Sequence, residues 1–259
     1  MDVASWNVNS LRARLERVGA WLDREAPDVV CLQETKATDD KFPREVFEDR
    51  GYDLEVFGQP TYNGVCIAAK APYALEDVQR GFPDASSDAE KRLIAATVGG
   101  LRLVNVYVPN GSSVGSDKFE YKLRWYARLR KLLDDTADPD TPWVICGDFN
   151  VAPDDRDVHA PDAYRGAVMF SDEEKAAYQR LKAFGLADVL RHFSDEAGVY
   201  TWWDYRRLGF QKNRGWRIDH FLATPPAVER ARSIRVNRDE RKGPQPSDHA
   251  PVIATFTDA

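Results

Sequence analysis

Trp143-Val144-Ile145-Cys146-Gly147-Asp148-Phe149-Asn150 reads as a strand running into a polar turn. Four apolar residues suit a short buried strand, Gly147 lets the backbone turn, and an acid and an amide follow two positions apart. Side chains at i and i+2 of an extended segment share a face, so Asp148 and Asn150 point together beyond the strand end. Asp and Asn are also ordinary turn residues. A catalytic reading therefore needs partners elsewhere in the chain.

Other apolar runs end in the same manner. The run to Asn7 is followed by Val8-Asn9-Ser10, and Asp28 to Leu32 delivers Gln33-Glu34-Thr35-Lys36. Leu93 to Val98 and Leu101 to Tyr107 flank Gly99-Gly100, a two-residue hairpin signal, and the second run ends in Tyr107-Val108-Pro109-Asn110-Gly111. An alternating strand from Trp216 to Leu222 carries Asp219, and Ser247-Asp248-His249 precedes an apolar run from Val252 to Phe256. Further strands are expected at Asp53 to Phe57 and Gly64 to Ala69. Between them lie helices. One is capped by Ser10 and carries Leu11, Leu15, Val18 and Leu22. A second buries Phe119, Leu123, Tyr126, Leu129 and Leu133, with Lys118, Lys122 and Arg124 on its other faces. A third starts at a Ser171/Glu174 capping box and closes at Gly185. No linker or repeat is visible, and long apolar segments lie at both ends, so one α/β domain spanning residues 1–259 is expected.

Composition narrows the class. A 43% hydrophobic content with seven Trp suits a globular core. The net charge of −6 argues mildly against a generic nucleic-acid binder. Cys31, Cys66 and Cys146 each sit in an apolar run, as buried reduced thiols do. The chain opens directly on strand-like Asp2 to Trp6, and no apolar run approaches bilayer-spanning length. A soluble cytoplasmic protein without membrane contact is expected.

Asn7, Glu34, Tyr107, Asp148, Asn150, Asp219, Asp248 and His249 all fall at or near strand ends, which suggests a polar rim at one edge of a sheet core. Carboxylate and amide oxygens without cysteine suit a hard cation, Mg²⁺ or Mn²⁺, rather than zinc. A His beside an Asp adds a group that can donate to a phosphate oxygen or carry a proton. Together they point to hydrolysis of a phosphoester by activated water.

Six blocks carry a family resemblance. They are Trp6-Asn7-Val8-Asn9-Ser10-Leu11-Arg12-Ala13, Leu32-Gln33-Glu34-Thr35-Lys36, Asn105-Val106-Tyr107-Val108-Pro109-Asn110-Gly111, Gly147-Asp148-Phe149-Asn150-Val151-Ala152, Asn213-Arg214-Gly215-Trp216-Arg217-Ile218-Asp219 and Ser247-Asp248-His249-Ala250-Pro251. In this order they resemble the exonuclease III family of abasic-site endonucleases, within the endonuclease/exonuclease/phosphatase superfamily. The resemblance implies a DNase I-like, four-layered α/β (α+β) sandwich: two packed, mostly antiparallel sheets flanked by helices, with the site at one edge. It implies Glu34 as a direct metal ligand, Asn7 nearby and Asp248 supporting the metal side; Asp148, Asn150 and His249 complete that set. Asp148, helped by Asn150, would handle the attacking water. His249, held by Asp219, would stabilise charge on the phosphate, with Tyr107 against the same group. The cofactor implied is Mg²⁺, with Mn²⁺ as substitute.

The partner implied is double-stranded DNA with abasic sites or blocked 3′ ends, bound by a monomer. From Tyr200 to Lys242 eleven basic residues face five acidic ones, a local excess of six on an acidic chain. Such a face can neutralise phosphates. Arg12, Lys36, Asn110, Arg206, Arg214 and Arg217 are the candidate DNA contacts, and Trp202 and Trp216 match positions that line a pocket for a flipped-out, baseless sugar. Many family members carry a small residue, often Gly, where Met169 stands. A bulky side chain there favours trimming and 3′-phosphate removal over abasic incision. The competing readings are a phosphatase of other phosphoesters, such as inositol phosphates, and a DNA-binding scaffold with a dead site. An abasic duplex assayed against inositol phosphates separates the first, and intact carboxylates argue against the second.

Overall fold

The computed structural model describes residues 1–83 and 89–258. Its strands in chain order are β1 (Asp2–Asn7), β2 (Val29–Gln33), β3 (Tyr52–Phe57), β4 (Val65–Lys70), β5 (Glu76–Arg80), β6 (Leu93–Val98), β7 (Leu101–Tyr107), β8 (Trp143–Asp148), β9 (Ala187–Asp188), β10 (Asp219–Ala223), β11 (Ala231–Val236) and β12 (Val252–Phe256). The helices are α1 (Leu15–Glu25), α2 (Glu45–Glu48), α3 (Asp117–Thr136), α4 (Asp172–Lys182), α5 (Val189–Phe193) and α6 (Pro225–Arg230).

Among the described residues, twelve strands form two six-stranded sheets, ordered β11-β12-β1-β2-β4-β3 and β5-β6-β7-β8-β10-β9. Each sheet holds one parallel pair, β1 with β2 and β7 with β8, joined through α1 and α3 respectively. Their other pairings are antiparallel. The two orders are the same pattern shifted by six strands. Each half of the chain builds four strands of one sheet and gives its last two, β5-β6 or β11-β12, to the other. This repeat of topology has no visible counterpart in the amino-acid sequence.

Apolar alternation explains the layering. Val3, Val29, Cys31, Ile67, Ile94, Leu103, Cys146 and Phe221 fill the space between the sheets. The outer faces are covered separately. Trp6, Leu32 and Val56 pack with Val18, Trp21 and Leu22 of α1, whereas Val104, Val106 and Ile145 pack with Trp125, Tyr126 and Leu129 of α3 and with Tyr178 of α4. Burying an aliphatic or aromatic side chain of this kind contributes about 1.5–3 kcal/mol. The four-layered α/β sandwich is thus the observed architecture.

Some local expectations need correction. Ser10 does not cap α1: its backbone N–H donates to the Glu34 carbonyl at φ +83, and a short 3-10 turn over Arg12–Arg14 intervenes before the helix. β10 starts at Asp219, because Trp216 instead bridges Trp202 and Val158. Gly147 is not the turn but lies inside β8, at φ +140, where an added Cβ would fall 1.9 Å from the Val106 carbonyl oxygen of β7. The turn follows at Asn150, at φ +50.

Candidate active site

Strand direction gathers the polar rim. Parallel β1, β2, β7 and β8 end together, and their antiparallel neighbours β10 and β12 begin there. Asp148 lies opposite both Tyr107 and Asp219 in register. Asn7, Glu34, Tyr107, Asp148, Asn150, Asp219 and His249 therefore converge at one edge, from segments up to the whole chain apart.

The centre is a line of three groups. His249 Nδ1 donates to Asp219, 3.1 Å from Oδ1 and 2.9 Å from Oδ2, and its Nε2 stands 3.7 Å from Asp148 Oδ2. Burial alone would push the imidazolium down, but Asp219 and then Asp148 outweigh it and carry its pKa up to about 10. Burial raises the Asp148 carboxyl to about 7 despite His249, with Asp219 adding to the rise. Asn7 aims its amide N–H groups at Glu34 Oε1 and Asp148 Oδ2, both 2.9 Å away, while its Oδ1 accepts from the Asn9 backbone at 3.0 Å. The turn is also locked. Asn150 N donates to Asp148 Oδ1 at 2.8 Å, and Asn150 Nδ2 donates to the Val108 carbonyl at 2.8 Å. Burial, then Glu34, holds the Tyr107 phenol well above its ordinary range, and Arg92 stacks 4.6 Å over its ring.

Asp148, Asp219 and His249 offer ligand atoms within 4.8 Å of one another, so the cluster is able to hold a metal ion. The oxygen-rich donor set fits a hard cation. The Lys36 ammonium already stands 2.9 Å from Glu34 Oε2, a cation where the carboxylates call for one.

Beside the cluster lies a cavity of about 280 Å³. Trp202 and Trp216 form two of its walls, edge to face with centroids 6.4 Å apart, and Met169, Arg206 and Arg214 line it. Arg206 and Arg214 are exposed at its mouth. Asn110 donates to Asn150 Oδ1 at 3.0 Å, and Arg12 is exposed, donating to the Lys41 carbonyl at 2.8 Å. Met169 has φ +68, a backbone conformation that favours glycine.

Two expected site residues lie elsewhere. Arg217, read as a DNA contact, is 1% exposed and pairs with Asp157 at 2.6 Å and Asp188 at 2.8 Å, so its charge is spent inside the fold. Asp248 turns its two oxygens to Asn9 Nδ2 and Trp202 Nε1, each 3.0 Å away, and braces the pocket wall rather than joining the cluster. Asn9 was unassigned in the sequence, although it also accepts from Lys36 at 2.7 Å; its place two residues after Asn7 was the only signal. Lys122, read on a polar face of its helix, is fully buried. Its spacing from Phe119 and Tyr126, three and four residues, places it on their side of α3.

Comparison with known proteins agrees with this geometry. Residues 4–249 match the Endonuclease/Exonuclease/phosphatase family. The chain is 38% identical to exodeoxyribonuclease III of Haemophilus influenzae, over 99% of this chain and 100% of that protein. Two solved structures superpose over 99% of both chains: the 3′ phosphatase NExo from Neisseria bound to a product DNA hairpin, at 40% identity and a TM-score of 0.95, and an AP endonuclease from Archaeoglobus fulgidus, at 39% and 0.94. With its fold, its acid–histidine line and the match over nearly its whole length, the chain belongs to the Endonuclease/Exonuclease/phosphatase family.

Proposed function

We propose that the chain is a Mg²⁺-dependent DNA repair nuclease that hydrolyses phosphodiesters 5′ to abasic sites and also has 3′–5′ exonuclease and 3′-phosphatase activity. The observation that carries this reading is the Asp219–His249–Asp148 line beside a Trp-walled cavity. The relatives named as exodeoxyribonuclease III, 3′ phosphatase and AP endonuclease support it. Double-stranded DNA is the partner, contacted through Arg206, Arg214, Lys36 and Arg12. The chain acts as a monomer and inside the cell, a reducing setting with which the three buried free thiols accord. Residues 1–259 work as one unit, since each half completes the other's sheet.

In the mechanism, Asp148 takes the proton of the attacking water, for which a carboxyl raised to about 7 is suited. The His249 imidazolium, kept charged and oriented by Asp219, donates from Nε2 to the phosphate as negative charge grows there. Asn150 holds Asp148 in place, and the neutral Tyr107 hydroxyl donates on the Glu34 side. Glu34 and Asp148 would hold Mg²⁺, or Mn²⁺ in its place, with Asn7 bracing both carboxylates through its amide N–H groups, and the ion would supply Lewis-acid stabilisation of the phosphate when bound. The pocket formed by Trp202 and Trp216 admits a sugar without its base.

The test is one labelled duplex set: an internal abasic analogue, a 3′-phosphate at a nick and a recessed 3′-hydroxyl, each with Mg²⁺ and with EDTA. Cleavage should vanish in EDTA and fall roughly 10²–10⁴-fold in Asp148→Ala. Cleavage that survives both sinks the assignment.

One observation favours a bias toward 3′-end processing. Met169, 3.5 Å through its Sδ from Asn110 Nδ2, occupies the pocket wall in a glycine-like conformation. Met169→Gly should open space for an uninterrupted strand and raise abasic incision relative to 3′-phosphate release by roughly tenfold, the scale of a kilocalorie-sized change in fit. An unchanged ratio on the same duplex set counts against this role for Met169.

A further inference from the structure

The side chain of Lys122 lies behind the site, touches no solvent and is used completely. Its ammonium donates to the Asn110 carbonyl at 3.1 Å, to the Asn150 carbonyl at 2.6 Å and to the Glu174 carboxylate. An ammonium has three N–H groups, so none is left over. Glu174 is equally occupied. One oxygen also accepts from the Met169 backbone at 2.9 Å, and the other accepts from Ser171 N at 3.1 Å and Ser171 Oγ at 2.6 Å. One helical turn further along α3, the Tyr126 hydroxyl donates to the Phe149 carbonyl at 2.6 Å. Two side chains on one face of α3 thus hold consecutive carbonyls of the turn that presents Asp148.

Burying both charges is a poor way to gain stability, because desolvation offsets most of the attraction and a well-packed apolar pair commonly does as well. What an apolar pair could not do is tie three loops together. The segments held are those of Asn110, Asn150 and Met169, and the Asn110 side-chain amide touches the side chains of both others.

We propose that Lys122 is a positioning residue for the reaction. Through the two carbonyls and through Glu174 it fixes the Asp148–Asn150 turn and the Met169 wall in one relative geometry. This rests on the reading of Asp148 as the group that handles the water.

The experiment compares the parent with Lys122→Met, Lys122→Arg and the double variant Lys122→Met/Glu174→Met, each full length with Mg²⁺, on the abasic and 3′-phosphate duplexes, with Asp148→Ala as control. Lys122→Met should lower kcat roughly 10–100-fold, as a misplaced catalytic group does. KM should change less than kcat, since Lys122 lies behind the site and reaches the substrate only through the segments it holds. Lys122→Arg keeps charge and donors and should recover much of the loss. The double variant leaves no unpaired charge but still frees the Asn110 and Asn150 carbonyls and the Met169 and Ser171 N–H groups, so its Tm should lie between those of Lys122→Met and the parent. Its kcat should nevertheless stay low, which separates positioning from stability. Parental kcat in either folded methionine variant, or a loss confined to KM, overturns the proposal. If Asp148→Ala itself retains parental kcat, the site assignment fails instead.

Discussion

Asn7 shows how much one side chain can decide. Its amide serves two carboxylates at once, and the Asn9 backbone N–H fixes which end faces them. Aspartate has the same shape but no donor. Asn7→Asp should therefore place three carboxylates together and lose two charge-assisted hydrogen bonds, each worth about 1.5–3 kcal/mol. The expected outcome is a fall in kcat/KM of at least roughly 10²-fold at neutral pH, partly relieved by higher Mg²⁺, measured across a metal titration. Parental activity at low Mg²⁺ would remove Asn7 from the site. At this scale the amino-acid sequence was informative about residue type and silent about direction. Glu34, Asp148 and His249 stood out because polar strand ends recur through one chain, although each alone could be an ordinary turn. Arg217 was misread because its partners, Asp157 and Asp188, lie 60 and 29 residues away, and a basic run looks the same whether it faces solvent or the core.

Elements were legible where burial imposes a pattern. β1, β2, β7, β8 and β12 are apolar runs bounded by polar turns, and α4 opens on its capping box. Of the edge strands, β3 was legible as the run from Asp53 to Phe57, but β5 and β11 were not. β5 is almost wholly exposed and β11 alternates with charged residues, so neither has the apolar signature that a covered strand needs. β8 carries the sharpest constraint of any element. Gly147 pairs with Val106 on one side and His220 on the other, and β7 passes so close that a methyl group cannot fit. Gly147→Ala should part the parallel pair just before Asp148, at a cost of about 3 kcal/mol or more. That corresponds to a fall in Tm of roughly 6–12 °C for a chain of this size. A melting curve and a single-turnover assay on the same sample check both effects. An unchanged Tm would mean that β7 can move aside.

The whole molecule records its electrostatics in its acid stability. His220 is buried on β10 and donates from Nε2 to the Val151 carbonyl at 2.8 Å. Burial, then the Arg217 cation, lowers its pKa to about 4. In the unfolded chain the ring takes a proton near its ordinary value of about 6.5. Its contribution is thus fully present above that value and is lost as pH falls from there toward about 4, by up to about 3 kcal/mol. Asp148, raised to about 7, works in the opposite direction across the whole of this window. The His220 effect is therefore read as a difference: urea stability of the parent minus that of His220→Gln should rise between pH 4 and 6.5. A flat difference would show that His220 is protonated in the folded protein.

The exchanged hairpins have a consequence for the chain's continuity. Gly99 and Gly100, at φ +54 and +71, form the one tight turn that joins the two halves, and the Arg230 guanidinium holds both of their carbonyls. Asn7 and Glu34 come from the first half; Tyr107, Asp148, Asp219 and His249 come from the second. Severed at this turn, each fragment would carry a hairpin belonging to its counterpart's sheet and lack one of its own. Neither could cut DNA alone. Mixed, they should find each other through two reciprocal strand exchanges, and nuclease activity would report their reunion, making this fold a natural split enzyme.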